Sequence, residues 1–205
     1  MKALIVAKTR MKNACCVGAY SLDTKENLRL LTSTGDKLPE DIEYKIGDVW
    51  EIAFEKRSDI VKPHVEDVLV HSKTFIRRQE NLASFLKNTV PIWKESPANV
   101  FEGKANFPLG QSGYIDRKRG MPTQSVGFWV PDQDLELTIF ADRRHYYYFG
   151  TEQVYVFPYV GYVPVVEKIP KGTLIRISLA RWWSPYASGQ ETRSYCQMSG
   201  WYTDY

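Results

Sequence analysis

Hydrophobic residues recur along this chain mostly at every second position, the rhythm of strands that bury one face. In Val49–Glu55, Trp50, Ile52 and Phe54 alternate with Glu51, Ala53 and Glu55; in Leu135–Phe140, Leu135, Leu137 and Ile139 alternate with Glu136, Thr138 and Phe140. The same reading gives strands at Lys2–Lys8 (apolar on both faces), Ala14–Leu22, Leu28–Thr32 and Val65–Val70, with turn-forming residues between them. Gly18 marks a bulge or tight bend within the second of these. Short strands at this spacing within about the first seventy residues predict a small closed β-barrel.

The rhythm then changes. Leu82, Phe85 and Leu86 follow helical spacing, and Pro91 and Pro97 interrupt any regular element, so residues 77–99 read as a helix and connector. A second β series follows: Val100–Lys104, Leu109–Tyr114, Ser125–Val130, Leu135–Phe140, Arg143–Phe149, Val154–Phe157 and Tyr159–Val163. The predicted fold is mainly β, with two tandem small barrels at residues 1–76 and 100–205 and the short helical connector between them.

The last stretch is the richest in chemistry. Leu174–Trp183 and Arg193–Tyr202 read as an antiparallel pair joined by a loop over Ser184–Thr192. Ile175, Ile177 and Leu179 share one face; Arg176, Ser178, Ala180 and Trp182 share the other, with Arg193, Tyr195, Gln197, Ser199 and Trp201 on one face of the returning strand. Rings beside guanidinium groups suit the stacking of bases and the holding of phosphates. Arg176, Trp182, Arg193, Tyr195, Gln197 and Trp201 are therefore candidate contact residues, the tryptophans having core burial as the alternative. Trp183 divides evenly between core and surface. Arg181 falls on the core side by alternation, where it either pairs with Glu66 or Asp67 or sits at a barrel rim.

Other basic groups extend the set. Lys8 and Arg10 end the first strand, and Arg143 and Arg144 precede His145 and three tyrosines, at least one of which must point inward. Asp116–Arg119 is a basic run that reads first as a solvated loop, with phosphate contact as its alternative. Catalysis finds little support: His64, Glu66 and Asp67 read as local hydrogen-bonding partners, and Asp132 with Asp134 as a turn lacking calcium-loop spacing. No glycine-rich phosphate loop or nucleophile elbow occurs, and the expectation is a non-enzyme without metal or cofactor.

Composition narrows this only a little. The net charge of +3 is too small to point to nucleic acid by itself, so clustering must carry that argument. Aromatic residues reach 14% of the chain, which supports a β body and a recognition surface without choosing the partner. Cys15, Cys16 and Cys196 give neither a disulfide ladder nor metal-ligand spacing, as expected of a reducing cytoplasm. The five-residue apolar run Ala3–Ala7 is too short for a signal core, and no stretch could span a bilayer, so no membrane association is expected.

The chain resembles the dual OB-containing domain family of prokaryotic conflict and defence systems. The resemblance is carried by Ala3–Arg10, Arg29–Thr32, Ile46–Trp50, Pro63–Val70, Ile177–Trp183 and Gln197–Tyr202, spread over essentially the whole chain. It implies two tandem OB-like barrels and a place beside immune effectors. The expectation is a cytoplasmic, non-catalytic recognition module for single-stranded nucleic acid or a nucleotide, acting in anti-phage defence with a separately encoded effector. The alternative is a protein-interaction adaptor of a defence complex that binds no nucleic acid.

Overall fold

The computed structural model describes residues 1–184 and 192–204, so most of the predicted Ser184–Thr192 loop lies outside the described residues. The chain divides into two compact units, Met1–Val61 with Val65–Val90 and Tyr202–Tyr205, and Lys62–His64 with Pro91–Trp201. Among the described residues no helix is long and apolar enough to cross a membrane.

The first unit is a closed barrel of β1 (Lys2–Met11), β2 (Ala14–Ser21), β3 (Asn27–Leu31), β4 (Asp48–Lys56) and β5 (Asp67–Arg78) in the order β1-β2-β3-β5-β4. β3 and β5 run parallel, and β4 returns to β1 to close the barrel. That circuit is the Greek-key order of an OB fold. Ala3 to Ala7 are wholly buried, as a strand apolar on both faces demands. The bulge falls opposite Gly18 and Ala19, with Val6 of β1 as the extra residue.

The fifth strand is longer than the predicted Val65–Val70, because β4 offers nine residues that need a partner. Phe75, across from Trp50, packs edge-on against it at 5.6 Å, and Lys73 lies 4.7 Å over the Tyr44 ring. The predicted helix shrinks accordingly to α1 (Leu82–Lys87) and belongs to the first unit, with Ala83 and Leu86 buried. Its Asn81 makes no side-chain cap. Asp204 supplies one from the far end of the chain, accepting the N–H groups of Ala83 and Ser84 at 2.8 and 2.9 Å and the Ser84 hydroxyl. Beside it in sequence, the Tyr202 hydroxyl donates to the Val6 carbonyl at 2.6 Å.

The second unit carries a five-stranded sheet, β6 (Ile92–Lys94), β8 (Val126–Val130), β13 (Leu174–Leu179), β14 (Ser194–Tyr202) and β7 (Tyr114–Ile115) in that order. A four-stranded sheet runs β11 (Val154–Pro158), β10 (Arg143–Phe149), β9 (Leu135–Phe140) and β12 (Lys168–Ile169). The OB circuit recurs here with its first strand broken after Val130, where Pro131 cannot donate to a ladder. The β8 half pairs with β13 and the β9 half with β10, while Tyr159 just after β11 forms a parallel bridge to Met198 of β14. Trp93 of β6 covers Gly127, where an added Cβ would stand 2.2 Å from the indole, so this position requires glycine. The predicted strands at 100–104 and 109–114 are instead a kinked 3-10 segment, Pro97–Gly103, and the short β7. Of Tyr159–Val163, Tyr159 and Gly161 form isolated bridges and no continuous strand develops.

Buried phenols make the fold alkali-sensitive. Burial, reinforced by Glu43, pushes the Tyr44 phenol up to about 12, and burial beside Asp132 pushes Tyr148 higher still. A raised folded pKa favours the neutral phenol in the native state, so this contribution is intact below the ordinary value of about 10 and is lost as pH rises beyond it through the folded value. Tyrosinate absorbance is expected to rise together with loss of near-ultraviolet circular dichroism in that window. Tyr44→Phe is expected to shrink the alkaline loss of stability; an unchanged alkaline transition would contradict the assignment to Tyr44.

Candidate nucleic-acid interface

The five-stranded sheet of the second unit has an inner face built from Trp129, Ile175, Ile177, Met198 and Cys196, all within one core cluster. The Ala180 N–H donates to the Tyr195 carbonyl at 2.8 Å, and Arg176 lies beside Ser199, so these residues share the opposite face. That opposite face is closed at one end and open at the other. At the closed end Arg176 is 4% exposed; it donates from Nη1 to the Ser199 hydroxyl, which donates back to the Arg176 carbonyl, both at 3.1 Å. Trp201 at the same end is 8% exposed and joins the core cluster. Both were expected at the contact surface; β13 is instead buried on both faces, and alternation cannot report what covers the second one.

The open end gathers rings and guanidinium groups. Trp183 pairs with Arg193 through backbone bonds of 2.9 and 2.8 Å just beyond the two strands, and its ring is 57% exposed. Its indole stands 6.1 Å from the Tyr195 ring, which stands 5.9 Å from the Tyr114 ring across the β14–β7 pair. The Arg193 guanidinium lies over Tyr114 at 4.2 Å, and Asn106 fixes the Tyr114 hydroxyl with a 2.7 Å bond. Trp182 is half-buried; its Nε1 donates to the Lys62 carbonyl at 2.8 Å, and the Arg117 guanidinium lies 5.4 Å from its ring. Gln197 is half-buried one pair along the same strand.

Arg117 comes from the basic run that the sequence presented first as a solvated loop. Asp116 is buried after β7 and accepts the N–H groups of Lys118 and Arg119 at 2.8 and 2.9 Å, which turns the chain and leaves Arg117, Lys118 and Arg119 exposed. Trp183, Tyr114 and Arg117 are thus the members that the sequence reading did not select. The adjacency of Asp116–Arg119 to Tyr114 was the signal available for two of them.

The remaining candidates lie elsewhere. Lys8, in the first unit, donates to the carbonyls of Glu40 and Ile42 at 2.8 and 3.1 Å and so ties down a loop of its own barrel, while Arg10 is exposed near the end of β1. Arg143 and Arg144 belong to the β9–β10 hairpin of the second unit, Arg143 exposed and Arg144 half-buried. Of the three tyrosines after them, Tyr146 and Tyr148 are both buried and Tyr147 only partly. His145 is pushed below its ordinary value by burial and by Arg143.

The acid groups have structural partners. Asp67 pairs with Arg29 at 2.5 Å, and Arg181 is exposed. Burial nevertheless leaves the Asp67 carboxyl above its usual range. Asp132 accepts the Tyr148 hydroxyl at 2.6 Å, and Asp134 accepts the Lys171 N–H and pairs with Lys168, which hold its carboxyl low.

The fold and its strand circuit define a tandem OB protein. The chain belongs to the dual OB-containing domain family, whose model matches residues 1–201. No curated protein matches it in sequence. Among solved structures it is similar to the tetrameric p202 HIN2 crystal structure, at 11% identity over 97% of this chain and 90% of that one, with a TM-score of 0.30. It is likewise similar to a murine DNA-binding protein bound with double-stranded DNA, at 12% identity over 98% and 95% of the two chains, with a TM-score of 0.29. Superpositions this loose do not carry a ligand from one chain to another.

Proposed function

We propose that the protein is a non-catalytic binder of single-stranded nucleic acid, with the strand running over the Trp183 and Tyr195 rings of the second OB unit, while Tyr114, buried beside them, holds the Arg193 guanidinium in place. The observation that carries this is the exposed Trp183 in a row of rings bordered by Arg193 and Arg117. Bases stack on rings without regard to sequence, and guanidinium and ammonium groups hold the phosphates. Arg117, Lys118, Arg119 and Arg193 supply the charge; Gln197 can hydrogen-bond a base edge. A nucleotide would use the same groups one residue at a time. The module works in the cytoplasm, in anti-phage defence, and hands its recognition event to a separately encoded effector, as the family resemblance implies.

Ionic strength tests the phosphate part. If these four cations neutralise phosphates, log K for an oligo-dT strand should fall with log salt at a slope of about −3, from roughly −0.7 per contact on single strands. A slope near zero would favour the adaptor reading. An exposed apolar hairpin on the second unit gives that reading its own support, because Phe140 is 78% and Ile139 58% exposed there.

A further inference from the structure

We infer that the open edge of β9 is the docking point for an extended, acidic polypeptide segment of a partner, which adds to the four-stranded sheet as a further strand. The β9–β10 hairpin closes through Ala141 and Asp142, both at positive φ (47° and 61°), the tight turn that suits a twisted two-stranded ribbon. Phe140 pairs with Arg143 and Ile139 with Arg144. On the outer side, β12 pairs with Leu135 and Glu136 only, and the last bond to β9 is the Leu137 N–H donating to the Glu167 carbonyl at 2.8 Å. Leu137 therefore points its backbone groups outward, and by alternation so does Ile139. Among the described residues no strand lies beside Ile139.

Unpaired strand edges recruit other strands, and proteins ordinarily blunt them with charge or proline. Here the edge carries apolar side chains on both faces of the sheet, Ile139 on one and Phe140 on the other. Aliphatic Ile139 offers nothing for a base to stack on, while an edge amide and carbonyl match a polypeptide backbone. Arg144 and Arg143 lie one strand in from the edge on the faces of Ile139 and Phe140, so their long guanidinium side chains can reach over these apolar residues towards acidic side chains of the incoming strand. A second copy fits poorly, since two-fold antiparallel pairing centred on Ile139 would set Glu136 opposite Asp142 of the copy, like charge to like charge, twice. The inference deepens the proposed role beside an effector and rests on that reading for the partner's existence; it does not depend on the nucleic-acid surface.

The probe is a short labelled peptide alternating glutamate with valine, set against its lysine counterpart and oligo-dT, with the full chain in fluorescence anisotropy. Ile139→Pro removes an outward N–H without touching the bonds to β10, and Phe140→Ser alters a side chain that packs on little. Binding of the acidic peptide is expected, weakened about tenfold or more by either substitution and for the lysine peptide. Oligo-dT binding should be the same in all three proteins. Equal binding of both peptides, no binding, indifference to both substitutions, or loss of oligo-dT binding in Phe140→Ser would overturn the inference, as would self-association abolished by Phe140→Ser. Wild-type protein that takes the acidic peptide but not oligo-dT would sink the nucleic-acid reading and leave this one standing.

Discussion

Trp201→Ala is expected to lose about 3–5 kcal/mol of folding stability, the cost of deleting a large buried aromatic together with the cavity left behind. Trp201 is 8% exposed and packs in the cluster that holds Ile175, Met198 and Cys196. Stability totals for domains run to roughly 5–15 kcal/mol, so the loss would take a large fraction of the whole. Among the described residues its buried Nε1 meets no acceptor, so Trp201→Phe sacrifices none of the hydrogen bonds seen and should be much milder. Urea unfolding of the two variants checks this. If Trp201→Ala instead kept its stability and lost nucleic-acid affinity, the ring would belong to the contact surface after all.

Reversing the charge of Arg117, Lys118 and Arg119 to glutamate is expected to have the second large effect. Each reversal removes a phosphate contact and adds a repulsion, so affinity for oligo-dT should drop on the order of a hundredfold or more at low salt. The remaining salt slope should flatten. The loop itself should survive, because Asp116 caps it through the backbone N–H groups of Lys118 and Arg119, which substitution leaves in place. Binding isotherms at several salt concentrations, with circular dichroism to verify folding, measure the effect. Affinity within about twofold of wild type would move the strand off this loop.

The strand rhythm made the barrels legible because strands that bury one face alternate, and the face assignments of Leu174–Leu179 and Ser194–Tyr202 follow the sequence parity. What parity cannot report is whether a second layer covers the other face. Arg176 and Trp201 sit where it is covered, Tyr195 and Arg193 where it thins. Trp183 lies past the last strand residue of β13, where alternation no longer applies. Arg117 meets Trp182 across 65 residues of sequence, and Asp67 finds Arg29 across 38, choices set by the closed circuit of the sheets and not by any local signal. The three-residue β6 follows Pro91 and is too short for alternation to declare it. The break of the second barrel's first strand was visible as Pro131, although its pairing with two different partners was not.

The most direct measurement is an equilibrium titration of labelled oligo-dT into wild-type protein and Trp183→Ala at low salt. Removing one stacking ring is worth about 1–3 kcal/mol per base, so Trp183→Ala should bind roughly 5- to 150-fold more weakly while unfolding at the wild-type urea concentration. Wild-type protein that fails to bind oligo-dT, or a Trp183→Ala variant that binds it as well as wild type, would contradict the account.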